Sequence, residues 1–218
     1  MSEAFATRTL ADIAAAVSGA TGVFRRAKLD FCCGGQVPLG EAAAAKGLSL
    51  AALEQELGAV AARGLPASLP ADTDAMIGVI ETRFHAVHRQ ELPELVKLAK
   101  RVEAVHAQHP AMPRGIAALL QGLADELEAH MQKEEQILFP MMRRGGHPMI
   151  RQPIAVMLAE HDNAGEQLHR LEELTGHFAT PEGACPTWQA LYAGARKFAD
   201  DLMEHIHTEN NVLFPRFV

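Results

Sequence analysis

The chain has 218 residues, 27 acidic against 20 basic side chains and a formal net charge of −7. It has no Lys/Arg cluster, so neither nucleic acid nor an anionic membrane is an expected partner. Hydrophobic residues make up 48% and aromatics only 5%, which supplies a full core and, with abundant Ala and Leu, favours helices over sheets.

The opening MSEAFATRTL lacks the apolar stretch of a secretory signal. No run approaches the ~20 apolar residues of a membrane span, and three Cys do not make a secreted disulfide framework. The expectation is a cytoplasmic protein. Residues 1–65 read as a small helical domain with short helical patterns near 8–17, 21–28, 38–46 and 49–62. In the last of these, Ser49 precedes apolar residues at Leu50, Leu53 and Leu57. GLPASLPAD, at 64–72, carries two Pro, a Gly and a Ser and marks a linker at 66–73.

Four long helical segments follow. The first spans about 74–107, with Asp72 or Asp74 as its cap and Pro93 expected to kink or distort it. The second opens at Pro113 and stops at RRGGHP near 143. The third covers about 148–176 and the fourth about 186–211. Four long helices with short links predict an all-α fold: an antiparallel four-helix bundle over 74–218.

The strongest signal is a segment that occurs twice, 75 positions apart: HMQKEEQILFP at 130–140 and HIHTENNVLFP at 205–215. Each copy keeps a His, a Glu four residues later and then LFP. Residues four apart share a helix face, so each copy points an imidazole and a carboxylate the same way. Counting positions along antiparallel helices puts His161 of the third helix, and His85 with His88 of the first, at the height of His130 and His205. His106 lies 21 residues beyond His85, roughly 31 Å along a straight helix, and is excluded. His109 and His147 fall in loops, and His169, His177 and His207 miss the level.

The selected set is His85, His130, His161 and His205 with Glu134 and Glu209. His88 is a weaker candidate, and Glu126, Glu135 and Glu160 are nearby carboxylates expected to be solvated or supporting. A nitrogen/oxygen donor set suits iron, manganese or zinc. Six donors exceed a closed tetrahedral zinc site and fit two metals bridged by two carboxylates. Imidazole dominates, and the order is His-x-x-x-Glu, so the expected centre is of hemerythrin type and not a ferritin-like one built on Glu-x-x-His.

LDFCCGG at 29–35, ahead of a bundle carrying HRQELPEL, EAHMQKEEQILFP, EHDNAGE and HTENNVLFP, resembles the iron–sulfur cluster repair di-iron proteins, the RIC or ScdA family, across both domains. The resemblance implies a hemerythrin-like bundle with two non-haem, carboxylate-bridged iron ions, made under nitrosative or oxidative stress. Its implied partners are damaged iron–sulfur proteins, restored by iron donation, and a homodimer is compatible with it. Family members are also associated with binding nitric oxide and reducing it to nitrous oxide. A nitric oxide reductase-type activity, or a nitric oxide or oxygen scavenger or sensor, is therefore the alternative.

The family's ligands fall on His85, His130, Glu134, His161, His205 and Glu209. Cys32 and Cys33, followed by Gly-Gly, suit a redox or metal-handling thiol pair in a tight turn. The competing reading is two small apolar residues at a helix end. A disulfide between adjacent cysteines would be strained, so reduced thiols are expected, either at an entrance to the metal site or as an iron relay. Cys185 passes for incidental.

Overall fold

The computed structural model describes residues 5–62 and 69–218. The expected boundary at 65 and the first part of the expected linker lie outside the described residues. The chain forms two compact units, one of 1–76 with Met203–Val218 and the other Ile77–Leu202. The described elements are helical, with one isolated bridge between Thr9 and Pro38. Among the described residues no helix is long and apolar enough to cross a membrane.

The smaller unit begins with α1 (Leu10–Ala16), α2 (Ala20–Arg26), α3 (Leu39–Ala45) and α4 (Leu50–Ala62). Polar caps start two of them: Thr9 Oγ1 accepts from Asp12 N at 3.1 Å, and Ser49 Oγ from Ala52 N at 3.3 Å. The core is built on Ile13, Phe24, Phe31, Leu39 and Leu57, all fully buried. Between α2 and α3 the chain must turn sharply at 30–35, and Asp30 organises that turn. Its carboxylate accepts from the amides of Cys32, Cys33 and Gly34 at 3.1, 3.0 and 2.9 Å.

The first long segment consists of α5 (Thr73–Val79), a π-helical stretch Ile80–His85 and α6 (Ala86–Val105). Asp72 caps it, accepting from Ala75 N at 2.8 Å. α6 runs through Pro93 without a break; the departure from α-geometry lies upstream, in the π-helical stretch. α7 (Ile116–Lys133) starts three residues later than the expected Pro113, because Pro113–Gly115 form a turn whose Gly115 N donates to Glu103 Oε1 at 2.7 Å. A π-helical stretch Glu134–Leu138 and α8 (Phe139–Arg143) extend it. α9 spans Arg151–Leu174, and α10 spans Pro186–His207, followed by a π-helical stretch Thr208–Leu213 and a 3-10 turn Phe214–Arg216.

The larger unit is the expected four-helix bundle, made by α6, α7, α9 and α10 as far as Leu202. Polar bonds join its neighbours: Arg89 to Glu128 from α6 to α7, Asn163 to Glu126 from α9 to α7, and Lys197 to Glu91 from α10 to α6. Gly194 lets α10 approach α6 closely, since a Cβ there would stand 2.7 Å from Leu95 Cδ2.

Candidate metal centre

The bundle interior buries His85, His88, His130, Glu134 and His161. Burying so many polar groups is unfavourable unless they are partnered or coordinate a metal. Glu134 is the most telling. It is 0% exposed, and neither carboxylate oxygen has a hydrogen-bond partner. Its Oε2 instead faces His85 Nε2 and His130 Nε2, each at 3.3 Å. His130 Nε2 lies 3.1 Å from His161 Nε2. Ligand atoms of His130, Glu134 and His161 all lie within 4.8 Å of one another.

The far side of each imidazole fixes its tautomer. His85 Nδ1 is 2.7 Å from Glu135 Oε1, and His130 Nδ1 is 2.9 Å from Glu160 Oε2. An ionised carboxylate only accepts, so a proton sits on each Nδ1, and each ring turns its Nε2 inward, where once deprotonated it is free to bind a metal. Lone pairs and a carboxylate converging on one point repel unless a cation lies between them. Carboxylate–histidine pairs of this kind orient metal-binding imidazoles and raise their basicity. The residues therefore fit a metal ion.

The two supporting carboxylates are themselves held ionised. Burial works to raise Glu135, but Arg89 and His85 outweigh it and hold the carboxyl below its ordinary value. Burial opposes ionisation of Glu160 too, and is overcome by Lys133 and His130. Arg89 donates to Glu135 at 2.7 and 3.1 Å and to Glu128 at 2.8 Å, so its guanidinium stays charged throughout. Glu126 has another role, accepting from Asn163 and Gln167 on the exposed side. His88 packs between the rings of Phe84 and Phe198, with centroids at 6.4 and 5.5 Å.

The second copy of the repeat carries its own pair in the smaller unit. His205 and Glu209 are fully buried, with His205 Nε2 3.1 Å from Glu209 Oε1. Both copies leave α-geometry within one residue of the repeated Glu, α7 at Glu134 itself and α10 at Thr208, just before Glu209, and the third π-helical stretch ends on His85. Such widened turns re-aim side chains and recur at functional sites. Sequence spacing treats every turn as regular, so this feature was not legible from it.

The copies diverge one residue after the Glu. Where the first has Glu135 supporting His85, the second has Asn210, followed by Asn211. Asn211 Nδ2 donates to Phe31 O at 3.3 Å and to Cys32 O at 3.1 Å, and Asn210 Nδ2 to Cys32 O at 3.4 Å. His207 Nδ1–H donates to Phe31 O at 3.2 Å, and burial lowers its pKa. The segment bearing Glu209 is thus bonded to the cysteine turn. Cys32 and Cys33 are free thiols with sulfurs 3.8 Å apart. Cys32 is buried, and the hydrogen bond with Cys33, then burial, push its thiol far above the ordinary value, so it stays protonated.

The excluded histidines lie elsewhere. His106 stands against Trp188 at the far end of α6, and His147, His169 and His177 are exposed.

The hemerythrin HHE cation-binding domain model matches residues 80–217, and ScdA_N, a domain of unknown function (DUF542), matches 6–61. The chain belongs to the hemerythrin HHE family, in the group of iron–sulfur cluster repair proteins. It is 47% identical over 214 residues, 97% of each chain, to the iron–sulfur cluster repair protein YtfE of Yersinia pseudotuberculosis serotype IB (strain PB1/+). Identity and coverage are the same for the protein of that name from Yersinia pestis (strain Pestoides F).

Proposed function

We propose that His85, His130, Glu134, His161, His205 and Glu209 together hold two non-haem irons, with Glu134 and Glu209 as bridges, and that the protein restores iron to damaged iron–sulfur clusters of other proteins. The observation that carries this reading is the buried Glu134 carboxylate, without a hydrogen bond and faced by two imidazole nitrogens. Further support comes from the shared repeat, from an α-to-π change within one residue of the Glu in each copy, and from one cation-binding domain model spanning all six residues.

Neutral imidazoles and only two carboxylates leave two ferrous ions with net positive charge, which suits a centre that releases its cargo. Cys32 and Cys33 would hold iron in transit and not at rest. A thiol must lose its proton to bind metal, and Cys32 is held in the protonated form.

A second reading is a binder of nitric oxide or oxygen; the cleft of about 410 Å³ between α6 and α7, lined by His88, Arg89, Leu92, Lys97, Asp125 and Met131 among others, reaches none of the six proposed ligands and gives it only indirect support. Incompletely filled iron coordination would let such a ligand bind.

One assay separates the readings. Iron-loaded, reduced protein is mixed with an iron–sulfur hydro-lyase inactivated by oxidation. The expected result is reactivation well beyond that given by free ferrous iron at equal concentration. The paired change Cys32→Ala/Cys33→Ala should weaken it while leaving iron content intact. Reactivation no greater than with free iron would reject iron donation and leave nitric oxide or oxygen binding as the leading reading.

A further inference from the structure

Cys185 immediately precedes Pro186, the first residue of α10, and its carbonyl accepts from Gln189 N at 3.0 Å. Its sulfur lies at the capping position, where the amides of Trp188 and Thr187 favour the thiolate. His106 Nε2, at the end of α6, lies 3.1 Å from Cys185 Sγ. The His106 ring is packed on Trp188, centroids 4.9 Å apart, with His109 edge-on to the same indole at 5.2 Å. The imidazole is therefore held in place. Both partners line a cavity of about 320 Å³, together with Val102, Val105 and Arg101, and no carboxylate lines it among the described residues.

We propose that Cys185 and His106 form a nucleophilic thiolate–imidazolium pair, separate from the metal centre, that reacts with a small carboxylate-bearing disulfide in this cavity. His106 Nε2 takes the thiol proton. The Cys185 sulfur attacks one sulfur of the disulfide, whose S–S bond breaks as a new one forms to Cys185. The other half leaves as a thiolate and collects a proton. The disulfide is the oxidant, so no further electron acceptor is required. Arg101 supplies the cation for the carboxylate. The hydrogen bond from His106, followed by the amide of Trp188, lowers the Cys185 thiol to about 7, whereas Cys32 is pushed the opposite way.

The test uses the full chain and oxidised glutathione, with mixed disulfide at each cysteine read by peptide mass spectrometry. Iodoacetamide alkylation is followed in parallel across pH. Cys185 should react on the order of tenfold faster than Cys32 at neutral pH, with alkylation half-maximal near pH 7. His106→Gln should move that midpoint upward. Arg101→Ala should slow the reaction with glutathione disulfide and leave alkylation by the uncharged iodoacetamide unchanged. Iron content should be unaffected by either change. A wild-type midpoint at the ordinary thiol value, or rates equal to those of Cys32, would overturn the pair irrespective of any variant. An Arg101→Ala protein with unaltered glutathione selectivity would overturn the carboxylate recognition.

Discussion

Glu134→Leu is expected to drop iron well below two per chain while making the metal-free protein more stable. Glu134 Oε2 faces both His85 and His130 at 3.3 Å, so in the proposed two-iron centre one substitution would disturb both metal positions. In the metal-free chain the same carboxylate is fully buried and accepts no hydrogen bond. Leu is of similar size and removes that unfavourable burial, a gain of about 1–3 kcal/mol. Loss of iron with a higher melting temperature separates a ligand from a residue whose loss merely unfolds the bundle. Glu209→Leu should lower iron in the same way, as should His85→Ala. His106→Ala, at the far end of α6, should leave iron near wild type. Full iron retention in Glu134→Leu would sink the bridging role.

Gly35→Ala is expected to loosen the cysteine turn and expose its thiols. A Cβ at Gly35 would stand 2.5 Å from Phe31 O and 3.0 Å from Ala11 Cβ. The nearer obstacle is backbone, and it cannot simply rotate aside. Ala11 N also donates to Gly35 O at 2.8 Å, which ties the turn to α1. Relief therefore shifts Phe31, whose carbonyl accepts from His207 and Asn211. Overpacking of this kind costs about 1–3 kcal/mol. Alkylation of Cys32 under native conditions should rise several-fold, read site by site, with the helical content of the chain retained. Unchanged protection of Cys32 would show that the turn does not depend on this glycine.

Much of the architecture was legible in the sequence because helices announce themselves by period and by caps. Ser49 and Asp72 begin helices where spacing placed them, and the four long segments fall within a few residues of their expected limits. Pro113 misled because a proline suits a turn as well as a first helical residue, and Gly115 finished that turn. The level count along straight helices was enough to bring His85, His130 and His161 together on paper, since antiparallel neighbours share a height whatever their crossing angle. What it could not supply was orientation. The π-helical turns at His85, Glu134 and Glu209 widen the helix where regular spacing assumes an ordinary turn.

The supporting groups were hidden for a related reason. In sequence Glu135 and Glu160 read as ordinary surface carboxylates, because Arg89 and Lys133, which hold them, come beside them only in the fold. Asn210 and Asn211 contact a turn about 180 residues away in sequence, a distance no local pattern spans. Cys185 reads as incidental in sequence because its partner His106 is 79 positions distant.

The central claim is that these histidines and glutamates form one two-iron centre, and metal analysis of the anaerobically purified full chain tests it most directly. The account predicts two irons per chain with an electronic spectrum free of haem bands. A single metal ion per chain, or stoichiometric zinc in place of iron, would contradict it.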